Sequence, residues 1–120
     1  IALWGLAFKA ETDDMREATS LVTIRHLLEA GCTVRVFDPA AMDEARRRLG
    51  DAVIYASDIY DAAKGADALL LLTEWKQFRL PSWARVHDLM RSPIVFDGRN
   101  IYDPAEMRKN GFEYYSIGRK

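Results

Sequence analysis

The segment LWGLAFKAETDDMREATS, from Leu3 to Ser20, joins an apolar run to the start of a predicted helix. A buried strand, a loop and then a helix are typical of the first unit of a nucleotide-binding α/β fold. A dinucleotide-binding loop would carry G-x-G-x-x-G here, so that bare backbone can approach a pyrophosphate at the helix N-terminus. Only Gly5 is present, because Ala7, Phe8 and Ala10 stand where the other glycines would be. The segment therefore predicts the fold but argues against a standard dinucleotide site.

Apolar runs and helical patterns alternate along the whole chain. The run 66–72 is apolar on both faces, as a central parallel strand is. Together the elements predict a doubly wound, mostly parallel six-stranded sheet with helices on both faces, a Rossmann-like three-layer sandwich formed as a single domain over residues 1–120. The predicted strands are 1–6, 32–37, 52–55, 66–72, 93–97 and 112–118, and the predicted helices are 18–30, 38–50, 59–64, 83–90 and 103–111.

Composition limits the classes of function. The chain has 120 residues and a net charge of −1, which gives no basic surface for nucleic acid. Its longest apolar run is far shorter than the roughly 20 residues that cross a bilayer, so no membrane association is expected. Cys32 is the single cysteine, which excludes an internal disulfide and favours a reducing, cytoplasmic compartment. The chain starts at Ile1 inside an apolar run, and we expect it to be the C-terminal part of a longer protein.

Ligands of such folds bind at the carboxyl ends of the parallel strands. Lys9 and Arg16 follow the first predicted strand, and Arg99 follows the fifth. Three cations on one sheet edge would suit a phosphate-bearing ligand. Gly98 is expected to supply an unusual backbone angle beside Arg99. The competing interpretation is that these cations are solvated and paired with nearby carboxylates, namely Asp13, Asp14 and Asp97.

Other residues invite functional interpretations that local structure can also explain. Asp38 ends a strand, where an acid often binds a cofactor ribose, but it precedes Pro39 and is interpreted as a helix cap or turn residue. Cys32 is expected to be buried and inert at the amino edge of the sheet. His26 and His87 lack metal-ligand spacing and are expected on the surface or in packing, so no metal site is predicted.

Three motifs carry a family resemblance that covers nearly the whole chain. GLAFKAETDDMREATS, LLLLTEW and FDGRNIYDP resemble, in order and spacing, the C-terminal UDP-binding domain of the UDP-glucose/GDP-mannose dehydrogenase family. The second motif favours the UDP-glucose 6-dehydrogenase branch.

The resemblance implies a function for the intact enzyme and roles for four residues here. The enzyme would convert UDP-glucose to UDP-glucuronate by two successive NAD-dependent oxidations, using a cysteine outside this chain. An N-terminal domain would bind NAD, a central region would make a homodimer or larger oligomer, and this domain would bind the nucleotide sugar. By position, Phe8, Lys9 and Arg99 resemble substrate-binding residues and Arg16 a cofactor-binding arginine. No catalytic residue is implied, so the fragment alone is expected to be inactive.

Alternative functions remain at this point. One is a related dehydrogenase acting on a UDP-N-acetyl-hexosamine or GDP-mannose. Another is a stand-alone dinucleotide-binding Rossmann module, which the missing glycines disfavour. A third is a signalling domain of the receiver type, which needs an aspartate directly after the third strand, where Tyr55-Ala56-Ser57 stand.

Overall fold

The computed structural model of the protein describes residues 1–7, 19–73 and 75–116, without the side chain of Thr19. Six strands lie in these ranges: β1 (Ala2–Trp4), β2 (Arg35–Phe37), β3 (Ile54–Tyr55), β4 (Leu69–Leu71), β5 (Ile94–Asp97) and β6 (Glu113–Ser116). Five α-helices accompany them: α1 (Thr19–Glu29), α2 (Met42–Leu49), α3 (Ile59–Ala63), α4 (Trp83–Leu89) and α5 (Pro104–Lys109). None of the helices in the described part of the chain has the length and apolar character needed to cross a bilayer.

The strands form one parallel sheet in the order β3-β2-β1-β4-β5-β6. In the register, Leu3 of β1 lies between Val36 of β2 and Leu70 of β4. The strand order changes direction between β1 and β4. The predicted doubly wound sheet is confirmed, and its topology places the natural crevice at the carboxyl ends of β1 and β4.

Helices cover both faces of the sheet, because successive residues of a strand point to opposite sides. On one side Leu3 and Val36 pack with Ile24 of α1 and Ala45 of α2. The other face packs against α3, α4 and α5, and the buried core on this side includes Trp4, Leu69, Leu71, Phe78, Val86, Val95 and Met107. Every one of these apolar side chains is buried, so the sheet is packed on both faces.

Strands β1 to β5 are shorter than predicted, because the apolar runs extend beyond the residues that form the ladder hydrogen bonds. The prediction that Asp38-Pro39 opens a helix is wrong in position, because α2 begins at Met42 after a turn. At α5 the predicted start is confirmed: Asp103 is the N-cap, its side chain accepts a hydrogen bond from the Ala105 N–H, and Pro104 is the first helical residue.

Candidate functional site at the carboxyl edge of the sheet

The buried polar side chains of the described residues all lie at the carboxyl edge. They are Ser20, Asp38, Thr73 and Asp97, each at most 2% exposed. A buried polar group is costly unless it is hydrogen-bonded, so each is expected to organise the backbone around it. Their partners are the backbone groups of the loops that form this edge.

Asp38 holds a turn and reaches beyond it. Its Oδ1 accepts hydrogen bonds from the N–H groups of Ala40 and Ala41 at 2.8 and 2.9 Å. This confirms the interpretation of Asp38 as a turn residue. Its Oδ2 also accepts a hydrogen bond, at 3.3 Å, from the indole N–H of Trp75, which lies in the loop after β4. The carboxylate therefore joins its own turn to the loop after β4, a contact that sequence reasoning did not predict.

The loop that joins β1 to α1, the first loop, includes the dipeptide Leu6-Ala7, whose backbone is held by three buried side chains. The N–H groups of Leu6 and Ala7 donate to Asp38 Oδ2 at 2.8 and 3.0 Å. The hydroxyl of Ser20 donates to the Leu6 carbonyl at 2.6 Å, and that of Thr73 donates to the Ala7 carbonyl at 2.8 Å. Both amides and both carbonyls of this dipeptide thus have a side-chain partner from a different element.

These contacts decide whether the described residues suit a dinucleotide. The amides of Leu6 and Ala7 follow β1, where a dinucleotide fold presents backbone to the pyrophosphate, but here they donate to Asp38. Both oxygens of Asp38 are engaged, so its carboxylate is not open to a ribose. A Cβ on Gly5 would stand 2.6 Å from Thr73, so this glycine permits close packing of β1 on β4. The described residues do not fit the standard dinucleotide site.

Asp97 organises the turn that carries Arg99. Its Oδ1 accepts the N–H groups of Arg99 and Asn100 at 2.9 and 2.7 Å, and its Oδ2 accepts the Tyr102 N–H at 3.0 Å. The hydroxyl of Tyr114 on β6 donates to the same Oδ2 at 2.7 Å. Asp97 is fully buried and the Arg99 side chain is exposed, so a rigid turn presents this cation at the edge.

The backbone strain in this turn lies at a different residue from the predicted one. Gly98 has no positive φ, whereas Asn100 has a φ of 58°. Asparagine tolerates this left-handed conformation better than most residues. Gly98 is needed for another reason, since a Cβ there would stand 2.8 Å from the carbonyl oxygen of Leu71 at the end of β4. The expectation of an unusual angle at Gly98 is therefore wrong.

Tyr102 and Tyr114 support the Arg99 turn from below. The Tyr114 hydroxyl also lies 3.1 Å from the carbonyl of Tyr102, and the Tyr102 hydroxyl donates to the carbonyl of Phe78. Burial raises the pKa of Tyr102, and the charge of Asp97 raises it further. Tyr102 therefore stays protonated and keeps its hydrogen bond. Sequence reasoning missed both tyrosines, and only their place beside an apolar strand and a helix start hinted at them.

The opposite edge of the sheet contains the chain's only cysteine. Cys32 precedes β2 and is half-buried, so the prediction of a buried strand residue is wrong, whereas its place at the amino edge is confirmed. It lines a cavity of about 310 Å³ together with Arg35, Lys64 and other residues of that edge. His26 is exposed and His87 packs on the ring of Phe112, as expected.

Of the four predicted binding residues, one lies among the described residues. Arg99 lies at the carboxyl edge, as expected. Phe8, Lys9 and Arg16, and the carboxylates Asp13 and Asp14, lie outside the described residues. The convergence of the three cations stays a prediction.

Residues 2–104 match the family model described as the UDP-glucose/GDP-mannose dehydrogenase family, UDP binding domain. A UDP-glucose 6-dehydrogenase of Pseudomonas aeruginosa is 50% identical to this chain over 124 aligned residues. That alignment covers 99% of this chain and 27% of the relative. The chain therefore spans about a quarter of the length of the curated relatives it matches.

Solved structures give the same picture. A UDP-glucose dehydrogenase from Pyrobaculum islandicum superimposes with a TM-score of 0.78 at 34% identity, covering 95% of this chain and 24% of that one. An NDP-N-acetyl-D-galactosaminuronic acid dehydrogenase from Methanosarcina mazei superimposes with a TM-score of 0.81 at 28% identity, covering 99% of this chain and 24% of that one. Both likenesses extend over nearly all of this fold.

Proposed function

Since this chain belongs to the UDP-glucose/GDP-mannose dehydrogenase family, we propose that it is the nucleotide-sugar-binding domain of an NAD-dependent UDP-glucose 6-dehydrogenase. The intact enzyme converts UDP-glucose to UDP-glucuronate by two successive oxidations. The observation that carries this proposal is the 50% identity to a UDP-glucose 6-dehydrogenase over almost the whole chain.

The geometry supports a nucleotide-binding role for the carboxyl edge. Arg99 is exposed on a turn that buried Asp97 fixes, and it lies at the end of β5, directly beside β4. A guanidinium forks onto phosphate or ribose oxygens and brings a positive charge to them. In this proposal Phe8 and Lys9 complete the site from the first loop, whose start is held by Asp38, Ser20 and Thr73.

NAD is bound in this proposal by a part of the enzyme outside the chain, with Arg16 reaching it from this domain. NAD supplies the hydride acceptor for the oxidations. The described residues offer no dinucleotide site, because the amides that follow β1 are engaged by Asp38. Their contribution is to bind and orient the uridylyl end of the substrate.

The thiol of the reaction also lies elsewhere in the proposed enzyme. Cys32 is at the amino edge, on the opposite side of the sheet from Arg99. No described side chain at the carboxyl edge is a cysteine. We therefore expect the chain alone to be inactive. Residues 1–120 act as one domain of a cytoplasmic enzyme, a homodimer or larger, that takes neither nucleic acid nor a membrane as partner.

The second candidate is a dehydrogenase for a different nucleotide sugar. The Methanosarcina mazei structure, named for an N-acetyl-galactosaminuronic acid, has the higher TM-score but only 28% identity. The 50% identity to the UDP-glucose 6-dehydrogenase of Pseudomonas aeruginosa favours UDP-glucose as the substrate. Because the fold is common to both neighbours, the identity decides between them and the superposition does not.

Calorimetric titration of the chain with UDP, UDP-glucose, GDP-mannose and NAD tests the proposal. We expect weak binding of both uridine ligands, no binding of NAD or GDP-mannose, and no NADH formation when UDP-glucose and NAD are mixed with the chain. Binding of NAD more tightly than UDP would contradict the proposal and favour a self-contained dinucleotide module. With the intact enzyme, UDP-glucose should be oxidised in preference to UDP-N-acetyl-hexosamines.

A further inference from the structure

We propose that Asp38 is a positioning residue for substrate binding, which fixes the start of the first loop and joins it to the loop after β4. The inference rests on the proposed function, since it concerns the loop that carries Phe8 and Lys9. Asp38 does not contact the substrate in this proposal. It acts through the backbone of Leu6 and Ala7.

The number and origin of its donors distinguish Asp38 from a helix cap. A cap side chain accepts one or two amides from its own helix. Asp38 accepts two amides from its own turn, two from the residues after β1, and the indole N–H of Trp75. The two amides after β1 lie more than thirty positions away in sequence. A carboxylate that needed only to shape the turn would leave Oδ2 to solvent, yet Asp38 is 1% exposed.

The arrangement depends on a carboxylate because it needs two acceptor oxygens. Each of the five described groups that bond to Asp38 is a donor, and both carboxylate oxygens accept. An asparagine at this position offers one acceptor oxygen and places an NH₂ group against donors on the other side. Asparagine can therefore satisfy the turn or the first loop, but it cannot satisfy both.

The dipeptide Leu6-Ala7 directly precedes Phe8 and Lys9 in the first loop. Ser20 and Thr73 hold its carbonyls, so it is fixed from three sides. We expect that releasing its amides from Asp38 disturbs the backbone of Leu6 and Ala7, which directly precedes Phe8 and Lys9 in the chain. The resulting loss concerns the nucleotide sugar, because NAD is bound elsewhere in the proposed enzyme.

The test is Asp38→Asn in the intact enzyme, measured by steady-state kinetics and by UDP titration. We expect the KM for UDP-glucose and the Kd for UDP to rise about tenfold or more, as loss of two buried hydrogen bonds predicts. The KM for NAD should stay within about twofold of the wild-type value. A merely structural aspartate would lower the Tm without this split between the two substrates.

Asp58→Asn is the matched control. Asp58 follows β3 at the same edge and caps α3 by accepting the Asp61 N–H at 2.7 Å. Among the described residues, the amides of Leu6 and Ala7 and the indole N–H of Trp75 donate to Asp38 and not to Asp58. The KM of the Asp58→Asn enzyme for UDP-glucose should match that of the wild type. Equal effects of the two substitutions, or an unchanged KM for UDP-glucose in Asp38→Asn, would overturn the proposal.

Thr73→Val keeps the proposal testable if Asp38→Asn fails to fold. It preserves the side-chain shape and removes the hydroxyl that donates to the Ala7 carbonyl. We expect a KM for UDP-glucose raised about three- to tenfold with the KM for NAD unchanged, and no change would overturn the inference. Failure of the proposed function is recognised separately, since the wild-type enzyme would then show no UDP binding.

Discussion

Arg99 is an exposed side chain on a turn whose organising residue, Asp97, is fully buried. Its own N–H and that of Asn100 donate to Asp97, which is fully buried and is also held by Tyr114. An exposed arginine loses much side-chain entropy when it binds a ligand. A rigid turn reduces the remaining cost, because the backbone needs no ordering on binding.

Replacing Arg99 by alanine in the intact enzyme should weaken binding of UDP-glucose by about 2 to 4 kcal/mol, the loss of a charge-assisted bidentate contact. The measurements are the KM for UDP-glucose and the Kd for UDP. Arg91→Ala is the control, because Arg91 is an exposed arginine that precedes β5, at the opposite end of this strand from Arg99. The Nε of Arg91 lies 3.7 Å from Oδ1 of Asp67. A KM in Arg99→Ala that equals that of the control would show that Arg99 binds no substrate.

At the scale of elements, α2 shows how a basic cluster is used locally. Its last turn holds Arg46, Arg47 and Arg48, which suits the negative end of the helix dipole. Arg47 and Arg48 donate to Glu44, one turn earlier, and Arg46 lies 4.3 Å from the centre of the Tyr55 ring. These contacts hold the three guanidinium groups against α2 and β3.

The same contacts predict a pH dependence. Hydrogen bonds from Arg47 and then Arg48 hold the pKa of Glu44 below its ordinary value of 4.5. The contribution of this carboxylate to stability is therefore complete above pH 4.5 and is lost as pH falls through the lower folded value. NMR titration of the Glu44 carboxyl group should give a midpoint below 4.5.

The double variant Arg47→Ala/Arg48→Ala should return that midpoint towards 4.5, because it removes both donors. Arg46→Ala removes an arginine of the same turn that contacts Tyr55, and it should leave the midpoint in place. A midpoint that is insensitive to the double variant would contradict the assigned cause.

At the scale of the whole molecule, one face of the sheet is built around Trp4. The side chain is fully buried, stacks on Phe78 and Trp83, and donates its indole N–H to the carbonyl of Ile59 at 3.1 Å. It joins β1 to α3, to α4 and to the loop after β4. The opposite face leaves Phe96 exposed by 37% and stacked on Tyr115 at the β5-β6 end.

Trp4→Ala should lower the free energy of unfolding by about 3 to 5 kcal/mol, because it leaves a large cavity and an unpaired carbonyl. Phe96→Ala removes an aromatic ring of comparable chemistry from a half-covered face and should cost about 1 kcal/mol. Urea unfolding of the chain, followed by circular dichroism, measures both. Similar losses for the two substitutions would contradict the assignment of Trp4 to the centre of the core.

The sequence by itself determined the class of the fold and the family. Alternating apolar runs and helical patterns, with a β4 run apolar on both faces, are local properties of the chain, and they predicted the parallel sheet and its two helical layers. The start of α5 at Asp103 was equally readable, because a cap and its helix are neighbours in sequence. The family motifs were also visible, since each is continuous in the chain.

Only the tertiary structure decided what the buried polar residues do. The bond from Leu6 to Asp38 and that from Thr73 to Ala7 join residues 32 and 66 positions apart, and no local pattern encodes such a pair. Asp97 was interpreted as a possible ion-pair partner, whereas the fold buries it beneath a turn and turns its oxygens towards backbone amides and Tyr114. The reason is physical: a polar side chain finds its partners only when packing has removed the water that would otherwise satisfy it.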